Sequence, residues 1–320
     1  MRNAFLQEAL VAAQSQAMAN APVATRRRFH VHPAYLFLAP YLIAMLLFSL
    51  GPALYSLLIS FASFQGGRPI WFAAGFKNII TVFKDPFLWP SFWNVIKFMA
   101  VSVPFGIFFV VFLSLLLHAR VTRASNFFRT LFFVPAAVTG PALVLVFLFT
   151  LNPDLSVFRS LLRGIGFQDI KQIINNNYAP IVFTLMGFFV GAGTWIAIFY
   201  GALQGISEEI IEAAIIDGCT PIQLAWLIKR PLIGRYIAYM VLNVLAGNVQ
   251  LFVEPQLMST VTATISKTYS PNLLAYDYAF QRGNFGAGAV IGVMMMIIGV
   301  GLAYVVIRAT NFYSTETTAR

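Results

Sequence analysis

Charge is scarce in this chain. Only 10% of its 320 residues are Asp, Glu, Lys or Arg, and the acids number 11 against 21 basic residues. Cys219 is the single cysteine, which excludes an internal disulfide. The histidines His30, His32 and His118 stand at no metal-ligand spacing, so no metal site is expected. No G-x-x-x-x-G-K-[ST], H-E-x-x-H or G-x-S-x-G run occurs, and the glycines of GNFGAGAV (Gly283 to Val290) lack the Lys of a phosphate loop. The chain is therefore expected to carry no catalytic residues, to be no enzyme, and not to bind or hydrolyse ATP itself.

Apolar residues fill the space that charge leaves. Hydrophobic residues make up 59% of the chain and the mean hydropathy is +0.78, more apolar surface than a soluble domain can hide. An all-α integral membrane bundle is expected, with about six transmembrane helices at ~20 residues per span. The net charge of +10 could point to nucleic acid. The basic residues instead cluster at the ends of apolar runs, as topology signals and contacts for anionic lipid do. No nucleic-acid partner is expected.

The spans read as residues 34 to 61, 94 to 117, 127 to 151, 179 to 203, 232 to 252 and 286 to 307. Pro40 and Gly51-Pro52 punctuate the first, and Pro135 and Gly140-Pro141 break the third. Residues 1 to 32 form a tail ending in Arg26-Arg27-Arg28, in which residues 5 to 19 fit a short surface helix. Residues 33 to 310 form the membrane domain and residues 311 to 320 a second tail. Arg26 to Arg28, and His118, Arg120, Arg123 and Arg129 in a short loop without acids, place both termini on the cytoplasmic side. The second, third and sixth spans hold no acid, which disfavours a proton relay.

Between the fourth and fifth spans lies a polar stretch, residues 207 to 233, reading SEEIIEAAIIDGCTPIQLAWLIKRPLI. Ser207 with Glu208 and Glu209 reads as a helix start, acids lying where the helix dipole favours them. Asp217-Gly218 breaks that helix, and Thr220-Pro221 opens a second one. The result is a helix-turn-helix hairpin at the membrane surface, which on periodicity alone also fits a plain amphipathic interfacial loop.

Its spacing resembles the EAA-x3-G-x9-I-x-L-P pattern of ABC importer permeases, through Glu212, Ala213, Ala214, Gly218, Ile228 and Pro231. Arg230 stands where the family usually has Leu, and Cys219 replaces a usual small residue. Residues 51 to 61, 76 to 98, 127 to 154 and 276 to 292 resemble permeases of the maltose and glycerol-3-phosphate type, closest to the first of their two paired permeases. Two departures bear on the solute. Residues 258 to 262 replace a usual Thr-x-Gly-Gly-Pro run, and Asn94-Val95 replaces Asn-Thr.

The resemblance implies a subunit of a prokaryotic cytoplasmic (inner) membrane importer, forming half the path for a sugar or related polyol. Its expected partners are a second permease, ABC ATPase subunits that bind ATP and Mg, an extracellular or periplasmic solute-binding protein, and membrane lipid. Glu212, Ala213, Ala214, Asp217, Gly218, Ile228 and Pro231 would couple it to the ATPase. An importer for another solute class is an alternative; an ATP-independent carrier or intramembrane enzyme is a more distant one. For the path itself, Asn243, Gly247 and Gln250 recur at helical spacing, Asn248 lies about 140° round from Asn243, and Trp195 could stack on a sugar ring. The same polar residues also fit contacts between helices, and Trp195 plain packing.

Overall fold

A computed structural model describes residues 33 to 65, 67 to 119, 122 to 138 and 140 to 309. Both expected tails and the helix expected within the first lie outside the described residues. The chain divides into two units at Pro52. In the first, α1 (Pro33–Met45) runs into a π-helical stretch, Leu46–Leu50. There the Gly51 N–H reaches back five residues to the Leu46 carbonyl. Pro52 follows directly. It has no N–H to give the carbonyl four residues back, and its ring crowds that carbonyl, so the helix widens just ahead of it.

The second unit holds the bundle. After α2 (Gly51–Ile59), a short hairpin forms from β1 (Ser63–Gln65) and β2 (Arg68–Ile70), with Phe64 opposite Pro69. Composition gave no sign of it beyond Gly66-Gly67, where Gly67 takes a positive φ of 77°. Then come α3 (Lys77–Phe83) and α4 (Leu88–Ala119). At 32 residues α4 spans about 48 Å at 1.5 Å per residue, well beyond a ~30 Å hydrocarbon core. It starts six residues before the expected span because Leu88, Trp89 and Pro90 continue the apolar pattern outward.

The third expected span is not one straight helix. α5 (Arg123–Phe133) passes into a 3-10 turn, Val134–Ala137, and meets α6 (Gly140–Thr150) at 107°. Pro135 and the extended backbone of Val138 (φ −79°, ψ 124°) stop the helical ladder there. Short helices α7 (Arg159–Gly164) and α8 (Ile170–Ile173) follow, where only a loop was expected. α9 (Ala179–Gln204) coincides with the fourth expected span to within a residue. α9 is the most enclosed of the long helices and packs along α4 and α5. Where it meets the elbow, a Cβ on Gly193 would overlap the Phe132 carbonyl oxygen, so only glycine permits that approach.

The hairpin helices α10 (Glu208–Ile216) and α11 (Pro221–Leu232) come next, followed by α12 (Gly234–Val249), which meets α11 at 67°. The fifth expected span is therefore shorter than the pattern suggested, bounded by Ile233 (φ −93°, ψ 10°) and Gln250 (φ −89°, ψ 14°), neither of them helical. The expected outer loop beyond it is largely helical: α13 (Val253–Val261), α14 (Pro271–Tyr276) and a π stretch, Asp277–Gln281. α15 (Phe285–Ala309) closes the described chain. Among the described residues, four helical runs are long and apolar enough to cross a membrane, or six with each bent pair taken as one span. Their outward faces carry large apolar side chains such as Phe108, Leu145, Ile297 and Val300, as lipid contact requires.

Candidate functional site: a surface hairpin and a cavity between α4, α9 and α12

In the hairpin, Ser207 takes extended backbone at the N-cap of α10, although its side chain makes no capping hydrogen bond; Glu208 and Glu209 occupy the first turn. The C-terminus is closed by two hydrogen bonds: Cys219 N–H to the Ala214 carbonyl and Gly218 N–H to the Ile215 carbonyl, each 3.0 Å. This Schellman closure needs a left-handed residue, and Gly218 supplies φ 83°. Thr220 then caps α11 reciprocally: Gln223 N–H donates to Thr220 Oγ1 at 3.3 Å, and Thr220 N–H donates to Gln223 Oε1 at 2.8 Å.

The structure brings the motif residues onto one projecting element. Glu212, Ala213, Asp217, Gly218 and Pro231 are exposed, Ile228 is half-buried and Ala214 is buried. Around the turn stand bare aliphatic side chains: Ile216 is 85% exposed, Ile222 73% and Leu227 68%. Residues 224 to 229 are π-helical, with Arg230 N–H reaching Ala225 O directly before Pro231, the same arrangement as before Pro52. Arg230, the departure from the family pattern, places its guanidinium 5.7 Å from the centre of the Trp226 ring. Ile233, 1% exposed, anchors the base of the hairpin, and Lys229 Nζ donates to His118 Nδ1 at the end of α4 (3.2 Å).

Of the five residues singled out along the path, the structure brings three together. Trp195, Gly247 and Asn248 line a cavity of about 210 Å³ between α4, α9 and α12. Trp195 lies between Phe199 and Tyr239, with ring centres at 6.3 and 5.7 Å. Asn248 Nδ2 donates to Ser102 Oγ at 2.6 Å. Gln250 lies past the end of α12, so its spacing from Asn243 is not helical; with Asn248 and Glu254 it lines an adjoining hollow. Asn243 stands apart, exposed, its amide donating to the Tyr239 carbonyl of its own helix (2.9 Å). Sequence reasoning missed Ser102, Thr184 and Glu254, which also face these hollows. Glu254 had a signal, being the only acid between Asp217 and Asp277.

At the opposite end from the hairpin, a charged knot ties two distant segments, residues 85 to 87 and 277 to 282. Asp85 accepts from Tyr278 OH (2.5 Å), from Phe87 N–H (2.8 Å) and from Arg282 Nη1 (3.1 Å), while Arg282 Nε donates to Asp277 (2.6 Å). Burial pushes the Asp85 carboxyl up, but the Tyr278, Phe87 and Arg282 donors outweigh it and hold it below the ordinary carboxylate value. Burial and the Asp85 charge push the Tyr278 phenol up to about 12. Among the described residues, no group of three or more His, Cys, Asp or Glu side chains could hold a metal ion.

Residues 102–311 match the family described as "binding-protein-dependent transport system inner membrane component". Among curated proteins, the chain is 26% identical over 272 residues to a probable ABC transporter permease protein, YurN, of Bacillus subtilis, covering 84% of this chain and 92% of that one. It is 31% identical over 203 residues to the sn-glycerol-3-phosphate transport system permease protein UgpA of Shigella flexneri, covering 62% of this chain and 67% of that one. Among solved structures, a bacterial ABC transporter involved in the import of the acidic polysaccharide alginate shares the fold, with a TM-score of 0.75 at 17% identity over 88% of this chain and 96% of that one. A family match over most of the bundle, joined to the geometry of the hairpin, decides the identity: this chain belongs to the inner-membrane permease components of binding-protein-dependent ABC importers, and is a transport subunit rather than an enzyme.

Proposed function

We propose that this permease forms half of the translocation path for a sugar or related polyol, and that residues 207 to 233 couple it to a separate ATPase. The observation that carries the coupling is the turn of the hairpin, where Ile216, Ile222 and Leu227 stand exposed beside a left-handed Gly218 on an element rich in acids. Bare aliphatic side chains on a rigid, polar-flanked turn are what a groove on a partner protein accepts. Glu212, Ala213, Asp217 and Pro231 are exposed with them; Ala214 is buried and Ile228 half-buried behind.

The cavity supports the solute class. Trp195 gives it an aromatic wall, while Asn248, Ser102 and Thr184 give it hydrogen-bonding groups without charge, a combination suited to a hydroxylated ring. UgpA, by its name, belongs to a glycerol-3-phosphate system, and the alginate importer has been solved with a pentasaccharide-bound periplasmic protein. By the same reading, the complex is completed by a second permease, a pair of ATPases carrying ATP and Mg, and a solute-binding protein outside. Both termini and the hairpin face the cytoplasm.

The test is a pull-down in mild detergent comparing the intact chain with a Glu212→Arg, Gly218→Asp double variant. Recovery of an ATPase with the first and not with the second is expected. Equal recovery from both would place the coupling surface elsewhere.

A further inference from the structure

Near the hairpin end of the bundle, basic groups gather around one aromatic ring without an acid to answer them. The guanidinium of Arg129 (α5) lies 3.9 Å from the centre of the Tyr200 ring (α9). The His118 ring (α4) meets the Tyr200 ring edge-on, with centres 5.4 Å apart, and Lys229 of the hairpin donates to His118. Four elements thus contribute to one basic patch. Arg129 Nη2 bonds Asn126 Oδ1 at 2.9 Å, but its buried Nε has no partner.

Residues 86 to 153 and 170 to 207 contain no Asp or Glu at all, and among the described residues no carboxylate lies within 4 Å of Arg129 or Lys229. A cation–π contact stabilises Arg129 without neutralising it. Partly buried positive charge of this kind calls for an anion from outside the chain.

A second feature indicates which anion. An apolar groove of about 660 Å³ opens in the elbow between the same two helices, lined from α5 by Leu131 and Phe132 and from α9 by Leu185, Phe188 and Ala192. On α5, Phe132 stands three residues, under one helical turn, from Arg129. On α9, Ala192 stands eight residues from Tyr200, about 12 Å along the axis. Basic groups further along the same helices from a greasy trough are complementary to an amphiphile with an anionic head.

We propose that this patch and groove form a binding site for an anionic phospholipid, its phosphate held by Arg129 and Lys229 beside Tyr200 and an acyl chain laid in the elbow. Because Lys229 belongs to the hairpin and Arg129 to the bundle, such a lipid would tie the two together from the membrane side. The proposal stands independently of which solute is carried and of how the ATPase docks.

The test uses the full-length chain in the complex it forms, delipidated in detergent and titrated under native mass spectrometry. The probes are palmitoyl-oleoyl phosphatidylglycerol, the phosphatidylcholine with the same chains, and inorganic phosphate. The phosphatidylglycerol should be preferred over the phosphatidylcholine, and Arg129→Gln and Lys229→Gln should each reduce that preference about fivefold. Arg129→Lys, which keeps the charge, should retain it and controls for folding. Leu131→Trp, at an exposed position in the groove, should weaken both lipids alike. Equal binding of the two lipids, or a preference surviving loss of both cations, would overturn the proposal. Displacement of phosphatidylglycerol by inorganic phosphate at similar concentration would also overturn it, assigning the patch to a free anion. Unchanged binding in Leu131→Trp would remove the acyl chain from the elbow.

Discussion

Replacing Asp85 by Asn isolates the charged knot at the end of the bundle away from the hairpin. The Asp85 side chain is 5% exposed and takes hydrogen bonds from a phenol, a backbone N–H and a guanidinium, so the amide would keep the shape and lose the charge. Breaking one partner of a buried ion pair costs about 3–5 kcal/mol. Arg282 is 39% exposed and retains Asp277, so solvent and the second carboxylate would recover part of that, leaving ~2 kcal/mol. At about 2–4 °C per kcal/mol for chains approaching this size, the melting temperature of the purified complex should fall by roughly 4–8 °C.

The pH dependence carries a sign. The folded carboxyl titrates below its ordinary value, so the stabilisation is complete above the unfolded carboxyl's pKa of about 3.9 and is lost as pH falls through the lower folded value. Wild type and Asp85→Asn should therefore melt with a constant gap between about pH 5 and 8 and converge only below about pH 4. A gap under ~0.5 kcal/mol at neutral pH, the range of ordinary surface substitutions, would refute the reasoning. So would a gap that closes between pH 7 and 5.

Further substitutions test the other parts. Gly218→Val forces a β-branched residue to φ 83° and should cost about 1–2 kcal/mol locally, abolishing uptake while the protein still inserts; normal transport would show that the turn is dispensable. Gly193→Ala puts a methyl group into the Phe132 carbonyl and should destabilise the α5–α9 contact by about 1–3 kcal/mol, read as a lower melting temperature and yield. Asn248→Ala removes a hydrogen-bonding group from the cavity and should raise the KM for uptake about fivefold, the equivalent of ~1 kcal/mol; an unchanged KM would take Asn248 off the path.

Helices whose ends are chemically marked were legible in the sequence. The fourth expected span agrees with α9 to within a residue, and Asp217-Gly218 and Thr220-Pro221 specify both halves of the hairpin turn. Bends were not legible, because an apolar run has the same composition whether straight or folded. Pro135 signalled a break between α5 and α6, yet a proline alone does not distinguish a kink from a 107° elbow. The path residues show the limit of helical spacing as a guide. Asn243 and Gly247 share a face, but α12 stops at Val249, so Gln250 leaves the pattern, and the cavity is completed by Ser102 from a helix 146 residues earlier. No single-helix periodicity contains that pairing.

The buried joint at Ile233 has a mechanical consequence. Two stiff arms meet there: α11 with 12 residues, about 18 Å, and α12 with 16 residues, about 24 Å. If they turn together about this fulcrum, the far arm travels further than the near one, in the ratio of roughly four to three. A 3 Å push on the outer hairpin would reach Val249, next to Asn248, as about 4 Å, most of the width of a strand spacing. The joint would gear a partner's small closure up into a displacement that can open or shut the cavity wall.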